Sequence, residues 1–271
     1  MSVAAVDRTL LVIEALAGAP RPMELSVIAR NVGLPASATH RILTTLCERG
    51  WAMQDAASDG YLLSLRIAVL AFRRLESRMM RDVVQVALDR LALRTKEYCR
   101  LAVVDGDDLV WVARAQGAPA GLRYEPGMGE EIVLHATANG KAWLASMEDA
   151  RAKAILAGRG LDATAGVGPR AMSEMANVLR EIRRVRKVGY GTAYEEAEAA
   201  TSAVAVAFRA GPEADAPVAG TVSVAGPHTR ITKARFDEFA AVLGETAKEL
   251  AELWPIRAFD DAADGPVRLR A

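Results

Sequence analysis

The chain has 271 residues, 51% of them hydrophobic, so it is long enough to bury the cores of two domains. Its 34 basic and 34 acidic residues cancel, which excludes the strong positive charge of a non-specific nucleic-acid binder. No apolar run reaches the roughly 20 residues of a membrane span, and the two cysteines fall in different predicted domains, which argues against a disulfide. We expect a cytoplasmic protein that does not contact a membrane.

The first 50 residues contain three apolar patterns with helical spacing. The first ends at the glycine and prolines of residues 18–22, and a second, shorter one covers residues 25–32. Gly33 then supplies a tight turn, and Pro35 suits the first turn of a third helix. A short helix, a turn and a second helix in this order predict a helix-turn-helix.

The third helix has an apolar face and a polar face. The apolar residues at helical spacing are Ala38, Ile42, Leu43 and Leu46. The polar face is free to enter the major groove of double-stranded DNA, where the guanidinium of Arg41 can pair with guanine or neutralise a phosphate. The predicted DNA-binding residues are Ser37, Thr39, His40, Arg41, Thr44 and Thr45.

Two short apolar segments around a polar turn at residues 55–60 predict the hairpin of a winged helix-turn-helix over residues 1–64. No Lys or Arg lies between Gly50 and Tyr61, which argues against deep insertion of this wing into the minor groove.

Residues 65–79 predict a linker helix whose apolar stripe should form a helix–helix dimer contact. The stripe consists of Leu65, Ala68, Val69, Phe72 and Leu75.

Residues 80–255 alternate between helical and strand patterns, which predicts an α+β domain with helices flanking a sheet. A β-hairpin is expected around a turn at residues 105–108. Later helices are expected at about 137–146, 149–157, 171–187 and 230–252, and strands at about 189–194, 202–209 and 218–225. The tail, residues 256–271, is expected to be irregular.

We identify no catalytic or metal-binding residues and expect no cofactor. His40, His135 and His228 are far apart in the sequence and lack the spacing of zinc ligands. Glu195 and Glu196 are interpreted as solvated or capping residues rather than as a catalytic pair.

Four sequence motifs, in their order and spacing, resemble the IclR family of bacterial transcriptional regulators over nearly the whole chain. They are residues 8–16, residues 33–35 with 41–43, residues 134–142, and Gly189-Tyr190 followed by Glu195-Glu196. The resemblance implies a winged-helix DNA-binding domain, a linker helix and a GAF-like α/β domain that binds a small organic effector. It also implies a homodimer or a dimer of dimers on operator DNA.

The chain departs from the family pattern at both expected sites. Ala36, Ser37 and Ala38 stand where the family commonly has a basic residue followed by Ser-Thr. In relatives that bind small oxo-acids, the pocket uses a Gly and an Ala in a turn, an acidic residue, a Cys and serines on the last strand. The corresponding positions here are Ala138, Asn139, Ala193, Ala203, Ser223 and Ala225.

Most of those polar ligands are therefore absent, and we expect an apolar or aromatic-lined cavity. Its polar anchors should be chiefly Asn139 and Ser223, and its wall should include Tyr124 and Ile132. An aromatic or otherwise bulky organic acid or ester would suit such a cavity.

The leading hypothesis is an effector-responsive transcriptional regulator of a catabolic operon. Two alternatives remain open: an enzyme with a cavity in its C-terminal domain and a regulatory DNA-binding appendage, or an architectural DNA-binding protein without a ligand. The absence of a nucleophile–base arrangement argues against the enzyme, whereas a sealed C-terminal core would favour the architectural protein.

Overall fold

A computed structural model describes residues 3–76, 82–161 and 167–254. The chain divides into two compact units, Met1–Ser77 and Arg78–Ala271. Residues 77–79 of the predicted linker helix and the predicted tail lie outside the described residues, as do the side chains of Phe72 and Leu75. No helix in the described ranges is long and apolar enough to cross a membrane.

The first unit combines a bundle of short helices with a two-stranded hairpin. Its elements are α1 (Ala4–Ala17), α2 (Leu25–Asn31), α3 (Ala36–Glu48), β1 (Ala52–Gln54), β2 (Tyr61–Leu63) and α4 (Arg66–Glu76). The two strands pair antiparallel, with Met53 opposite Leu62. A single apolar core is formed by Val12, Leu16, Ile28, Leu43, Leu46, Ala52 and Tyr61. These elements confirm the predicted winged helix-turn-helix.

The turn between α2 and α3 depends on Gly33. Its φ is +65°, a conformation that residues with a Cβ disfavour. The amide of Leu34 donates to the carbonyl of Ala29 at 3.0 Å and closes the turn, after which Pro35 is the N-cap of α3. This turn sets the direction in which α3 leaves α2.

The second unit is a five-stranded antiparallel sheet in the order β4-β3-β7-β6-β5 with helices on both faces. Its elements are α5 (Asp82–Thr95), β3 (Tyr98–Asp105), β4 (Asp108–Gln116), α6 (Ala138–Leu144), α7 (Asp149–Arg159), α8 (Met175–Val188), β5 (Gly191–Tyr194), β6 (Thr201–Arg209), β7 (Val218–Pro227) and α9 (Phe236–Leu253). Helices α5 and α9 pack on one face and share a core with it. Helix α6 packs on the other face, and α8 packs against α6 and α7. The predicted α+β architecture is confirmed.

Two helices of this unit begin later than the sequence pattern predicts. The helix expected from residue 171 begins at Met175, and the helix expected from residue 230 begins at Phe236, after a short 3-10 helix. The amide of Ile231 donates to the carbonyl of Pro227, so the preceding residues form a turn that closes β7. Met172 and Ile231 pack in the core, which explains why the apolar pattern continues outside the helices.

Small residues bring α6 unusually close to the sheet. Ala138 and Ala142 on α6 face Ala193 and Ala205 on the strands. At Gly191 on β5, an added Cβ would lie 2.3 Å from the carbonyl oxygen of Ala138. Any side chain at position 191 would therefore push α6 away from the sheet.

We predict that Gly191→Ala destabilises the second unit by about 1–3 kcal/mol, because the new methyl group meets backbone atoms that cannot move independently. The matched control is Gly244→Ala on α9, where an added Cβ meets no atom within 4 Å. This control should stabilise the second unit by roughly 0.5–1 kcal/mol, as expected for a Gly to Ala substitution in a helix. Denaturant unfolding followed by circular dichroism measures both, and equal effects of the two substitutions would contradict the close approach of α6.

Candidate DNA-binding helix and ligand cleft

One face of α3 is exposed and polar. Ser37, His40, Arg41, Thr44 and Thr45 are all exposed, whereas Leu43 and Leu46 on the opposite side are buried. The hydroxyls of Thr44 and Thr45 donate to the carbonyls of His40 and Arg41, at 2.9 and 3.0 Å. Their oxygen lone pairs remain available as acceptors.

Thr39 does not belong to this face, so its prediction as a DNA-binding residue is wrong. The side chain is fully buried, and its hydroxyl donates to the carbonyl of Pro35 at 3.1 Å. Positions 39, 43 and 46 are separated by four and three residues, which places them on the same face of a helix. Thr39 therefore packs with the leucines of the core.

The turn of the wing carries negative rather than positive charge. Asp55 accepts hydrogen bonds from the amide and the hydroxyl of Ser58, at 3.0 and 2.6 Å. Asp59 follows with a positive φ of 54°. An acidic turn is repelled by phosphates, in agreement with the expectation that this wing does not insert deeply.

In the second unit, a cleft of about 820 Å³ opens beside the sheet. It is lined by residues of β3 and β4, by the segment before α6, by the end of α7, by residues 167–169 and by the loop after β5. A recess of about 30 Å³, room for about one water molecule, lies between α6 and the sheet. Arg100, Trp111 and Tyr124 line both spaces, so they mark the place where cleft and recess meet.

The predicted effector-binding residues are divided between these two spaces. Tyr124 lines both, and the buried Ile132 lines the cleft. The others line only the recess: Ala138, Asn139, Ala193, Ala203 and Ser223. The small side chains at these positions do not leave a large pocket, because α6 lies close to the sheet and fills the space.

The two predicted polar anchors already have partners in the protein. The Nδ2 of Asn139 donates to Thr221 Oγ1 at 3.0 Å, and Ser223 Oγ donates to the carbonyl of Arg100 at 3.4 Å. Both groups hold neighbouring elements together. Neither is a free donor aimed at the cleft.

Arg100, on β3, was missed by the sequence analysis. Its side chain is only 8% exposed, and its Cζ lies 3.8 Å from the centroid of the Trp111 ring. Burial lowers the pKa of its guanidinium, but an Arg stays charged at neutral pH. The signal was available, since Arg100 interrupts a run of apolar residues in a strand buried on both faces.

The rim of the cleft is charged, so the prediction of a largely apolar cavity with few polar groups is wrong. The charged residues that line it besides Arg100 are Arg123, Glu125, Glu130, Glu131, Arg159 and Glu198. Deeper in the cleft lie Trp111, Ile132 and Leu134, which are all buried. Burial raises the pKa of Tyr124 to about 12, so its phenol is neutral at neutral pH.

An ion pair ties α6 to the loop that forms one wall of the cleft. Lys141 is completely buried, and its Nζ donates to both carboxylate oxygens of Glu196 at 2.9 Å. Burial raises the pKa of Glu196 despite the attraction of Lys141. The interpretation of Glu196 as a solvated or capping residue is wrong, because the fold brings a distant lysine to it. The next residues of this loop, Ala197 and Glu198, line the cleft.

The chain combines a helix-turn-helix, whose second helix exposes a polar face, with a sheet domain that carries a ligand-sized cleft. This combination defines a DNA-binding transcriptional regulator. The sequence matches the IclR helix-turn-helix domain over residues 5–56 and the C-terminal domain of bacterial IclR transcriptional regulators over residues 72–252. The chain belongs to the IclR family.

Relatives match this chain over most of their own length. It is 27% identical to the transcriptional repressor IclR of Escherichia coli (strain K12) over 250 residues, which cover 92% of this chain and 89% of that protein. Its fold is similar to an IclR transcriptional regulator from Alicyclobacillus acidocaldarius, with a TM-score of 0.77, 22% identity and coverage of 94% and 99%. It is also similar to an IclR homologue from Microbacterium hydrocarbonoxydans complexed with 4-hydroxybenzoate, with a TM-score of 0.70, 21% identity and coverage of 96% and 100%.

We predict that Lys141→Met destabilises the second unit by about 3–5 kcal/mol, because it leaves the Glu196 carboxylate buried without its partner. Arg170→Met is the matched control, since Arg170 pairs with the neighbouring Glu195 but its side chain is 59% exposed. That surface pair should contribute at most about 1 kcal/mol. Urea unfolding measures both variants, and a loss no larger in Lys141→Met than in the control would contradict a structural role for the buried pair.

Proposed function

We propose that the protein is an effector-responsive regulator that binds operator DNA through the exposed face of α3. The observation that carries this proposal is the exposed cluster of Ser37, His40, Arg41, Thr44 and Thr45 on the second helix of a helix-turn-helix. A helix of this kind lies in the major groove with its polar face against the base edges. Arg41 supplies the cation of this face, and its side chain is exposed.

We further propose that a small organic molecule binds in the cleft of the second unit and changes the affinity for DNA. The cleft volume of about 820 Å³ is in the range of pockets that hold metabolites. A ligand can change DNA affinity only to the extent that it binds the DNA-bound and free states unequally. From the family resemblance we also propose that this ligand regulates the transcription of a catabolic operon.

A second copy of the chain is the proposed partner of α4. Leu65, directly before α4, and Val69, on its first turn, are 82% and 45% exposed in the single chain. Exposed apolar side chains four residues apart lie on one face and are typical of an interaction surface. A homodimer, or a dimer of dimers, would place two copies of α3 on the two halves of a near-palindromic operator.

Arg41→Ala should weaken operator binding by about 1–3 kcal/mol, because it removes a base or phosphate contact without opening the core. The operator is obtained by selection from random duplexes with the wild-type protein, and affinity is measured by fluorescence anisotropy at fixed salt. Arg30→Ala removes the same charge from an exposed position on α2 and serves as the control.

An equal loss of affinity in both variants would show that Arg41 acts only through its charge. Wild-type affinity should also fall steeply as salt is added, because phosphate contacts release counterions. If the wild-type protein selects no sequence from the library, the proposed function itself fails.

Val69→Asp should shift the protein towards the monomer in light scattering, because a charge in a buried apolar contact is strongly unfavourable. Ala71→Asp is the matched control, since Ala71 is exposed and lies about 200° around the helix from Val69. The control should keep the mass of the wild type. An unchanged mass for both variants would place the dimer contact elsewhere.

A further inference from the structure

The buried guanidinium of Arg100 lacks the partners that a buried charge needs. Its Nε and Nη1 are buried, and within the described ranges neither atom has a hydrogen-bond partner. A buried polar group without a partner is strongly unfavourable, and in native proteins such groups are rare. The described residues therefore do not supply the partner that the charge of Arg100 needs.

Aromatic rings compensate the charge only in part. The Cζ of Arg100 lies 3.8 Å from the centroid of Trp111 and 5.6 Å from that of Tyr98. A cation–π contact of this kind contributes about 0.5–2 kcal/mol and acts on the face of the guanidinium plane. It does not satisfy the N–H groups, which point outward in the plane.

The neighbouring carboxylates do not accept hydrogen bonds from these N–H groups either. Glu130 and Glu198 attract the Arg100 charge, but both side chains are exposed at the rim of the cleft. Glu130 accepts a hydrogen bond from the amide of Gly127 at 3.0 Å instead. Ser202 lines the same recess and also has an unpartnered buried hydroxyl, but the strand alternation places its side chain on the face of Val204, the opposite face of the sheet.

The position of Arg100 defines where an anionic ligand group would lie. The residue lines both the recess and the cleft, and the recess has room for about one water molecule. The body of a ligand that reaches Arg100 must therefore occupy the cleft. Trp111, Ile132 and Leu134 give that part of the cleft an apolar wall.

We propose that Arg100 binds the carboxylate of the effector, and that the effector is a monocarboxylic acid with an aromatic or other apolar body. This inference rests on the proposed function, because it assigns the ligand class of the same cleft. A carboxylate oxygen accepts a charge-assisted hydrogen bond from a guanidinium N–H, which is the kind of partner that Nε and Nη1 of Arg100 lack among the described residues. The rim carries four carboxylates, of Glu125, Glu130, Glu131 and Glu198, against the two guanidiniums of Arg123 and Arg159. This excess of negative charge disfavours a second carboxylate, so dicarboxylates bind worse than monocarboxylates.

Calorimetry on the full-length protein without DNA tests this assignment. The probes are benzoate, 4-hydroxybenzoate and phenylacetate, each beside its neutral amide, and phthalate as a dicarboxylate. We expect at least one monocarboxylate to bind, with its amide and phthalate binding at least about 100-fold more weakly. Equal binding of an acid and its amide, or no binding of any acid at millimolar concentration, overturns the proposal.

Variants separate ligand binding from a structural role. Arg100→Met should weaken binding of the acid at least about 100-fold, and Arg100→Lys should also weaken it, because an ammonium lacks the planar fork. Without ligand, Arg100→Met should melt at the same or a higher temperature than the wild type, since it removes an unpaired buried charge. Arg94→Met is the control, because it removes an exposed cation from α5, on the other face of the sheet, and should leave affinity nearly unchanged.

A lower melting temperature of ligand-free Arg100→Met, with unchanged affinity for the acid, would make Arg100 a structural residue and overturn the proposal. Operator binding by Arg100→Met is measured separately. It distinguishes a failure of the proposed ligand class from a failure of the proposed function. If the variant and the wild type both bind operator, a negative result in calorimetry concerns the ligand class alone. If the wild type fails to bind any operator, the proposed function fails whatever calorimetry shows.

Discussion

The close approach of α6 to the sheet is the constraint on which the second unit depends. Gly191 has no Cβ, and alanines face each other across the contact, so the helix backbone lies almost directly on the strands. Packing at this distance excludes large side chains from the contact. It also decides where the free volume beside the sheet can be, since the space under α6 is reduced to a recess of about 30 Å³.

Two polar contacts follow from that approach. Asn139 reaches Thr221 on β7, and Lys141 reaches Glu196 on the loop after β5. A buried lysine needs a close counter-charge, so the ion pair fixes the loop that walls the cleft. The same loop carries Ala197 and Glu198 at the cleft. Helix packing and the shape of the ligand site are therefore parts of one arrangement.

Charge is distributed differently at the two candidate sites. On α3 a single Arg stands on an exposed polar face, next to hydroxyls that keep acceptor capacity. In the second unit an Arg is buried against an aromatic ring, and its Nε and Nη1 have no partner among the described residues. The first arrangement suits a solvated partner such as the DNA backbone and base edges. The second suits a ligand that is removed from water when it binds.

Much of the fold could be predicted because local patterns and the core agree. The predicted apolar residues Leu43 and Leu46 of α3 reappear in the core of the first unit, and Gly33 adopts the positive φ that its place in the turn required. The exposed face of α3 followed from the same spacing, apart from Thr39. The polar side chain of Thr39 suggested an exposed position, but its position on the helix places it in the core.

The sequence by itself determined the order of the elements, the winged helix-turn-helix and the family, because these depend on periodicity and on motifs close together in the chain. Only the tertiary structure decided which polar groups meet. Lys141 and Glu196 are 55 residues apart, and Asn139 and Thr221 are 82 apart. The lack of a described partner for Nε and Nη1 of Arg100 likewise depends on residues that are distant in the sequence. Long-range packing alone determines whether a buried charge has a partner, and no local pattern carries that information.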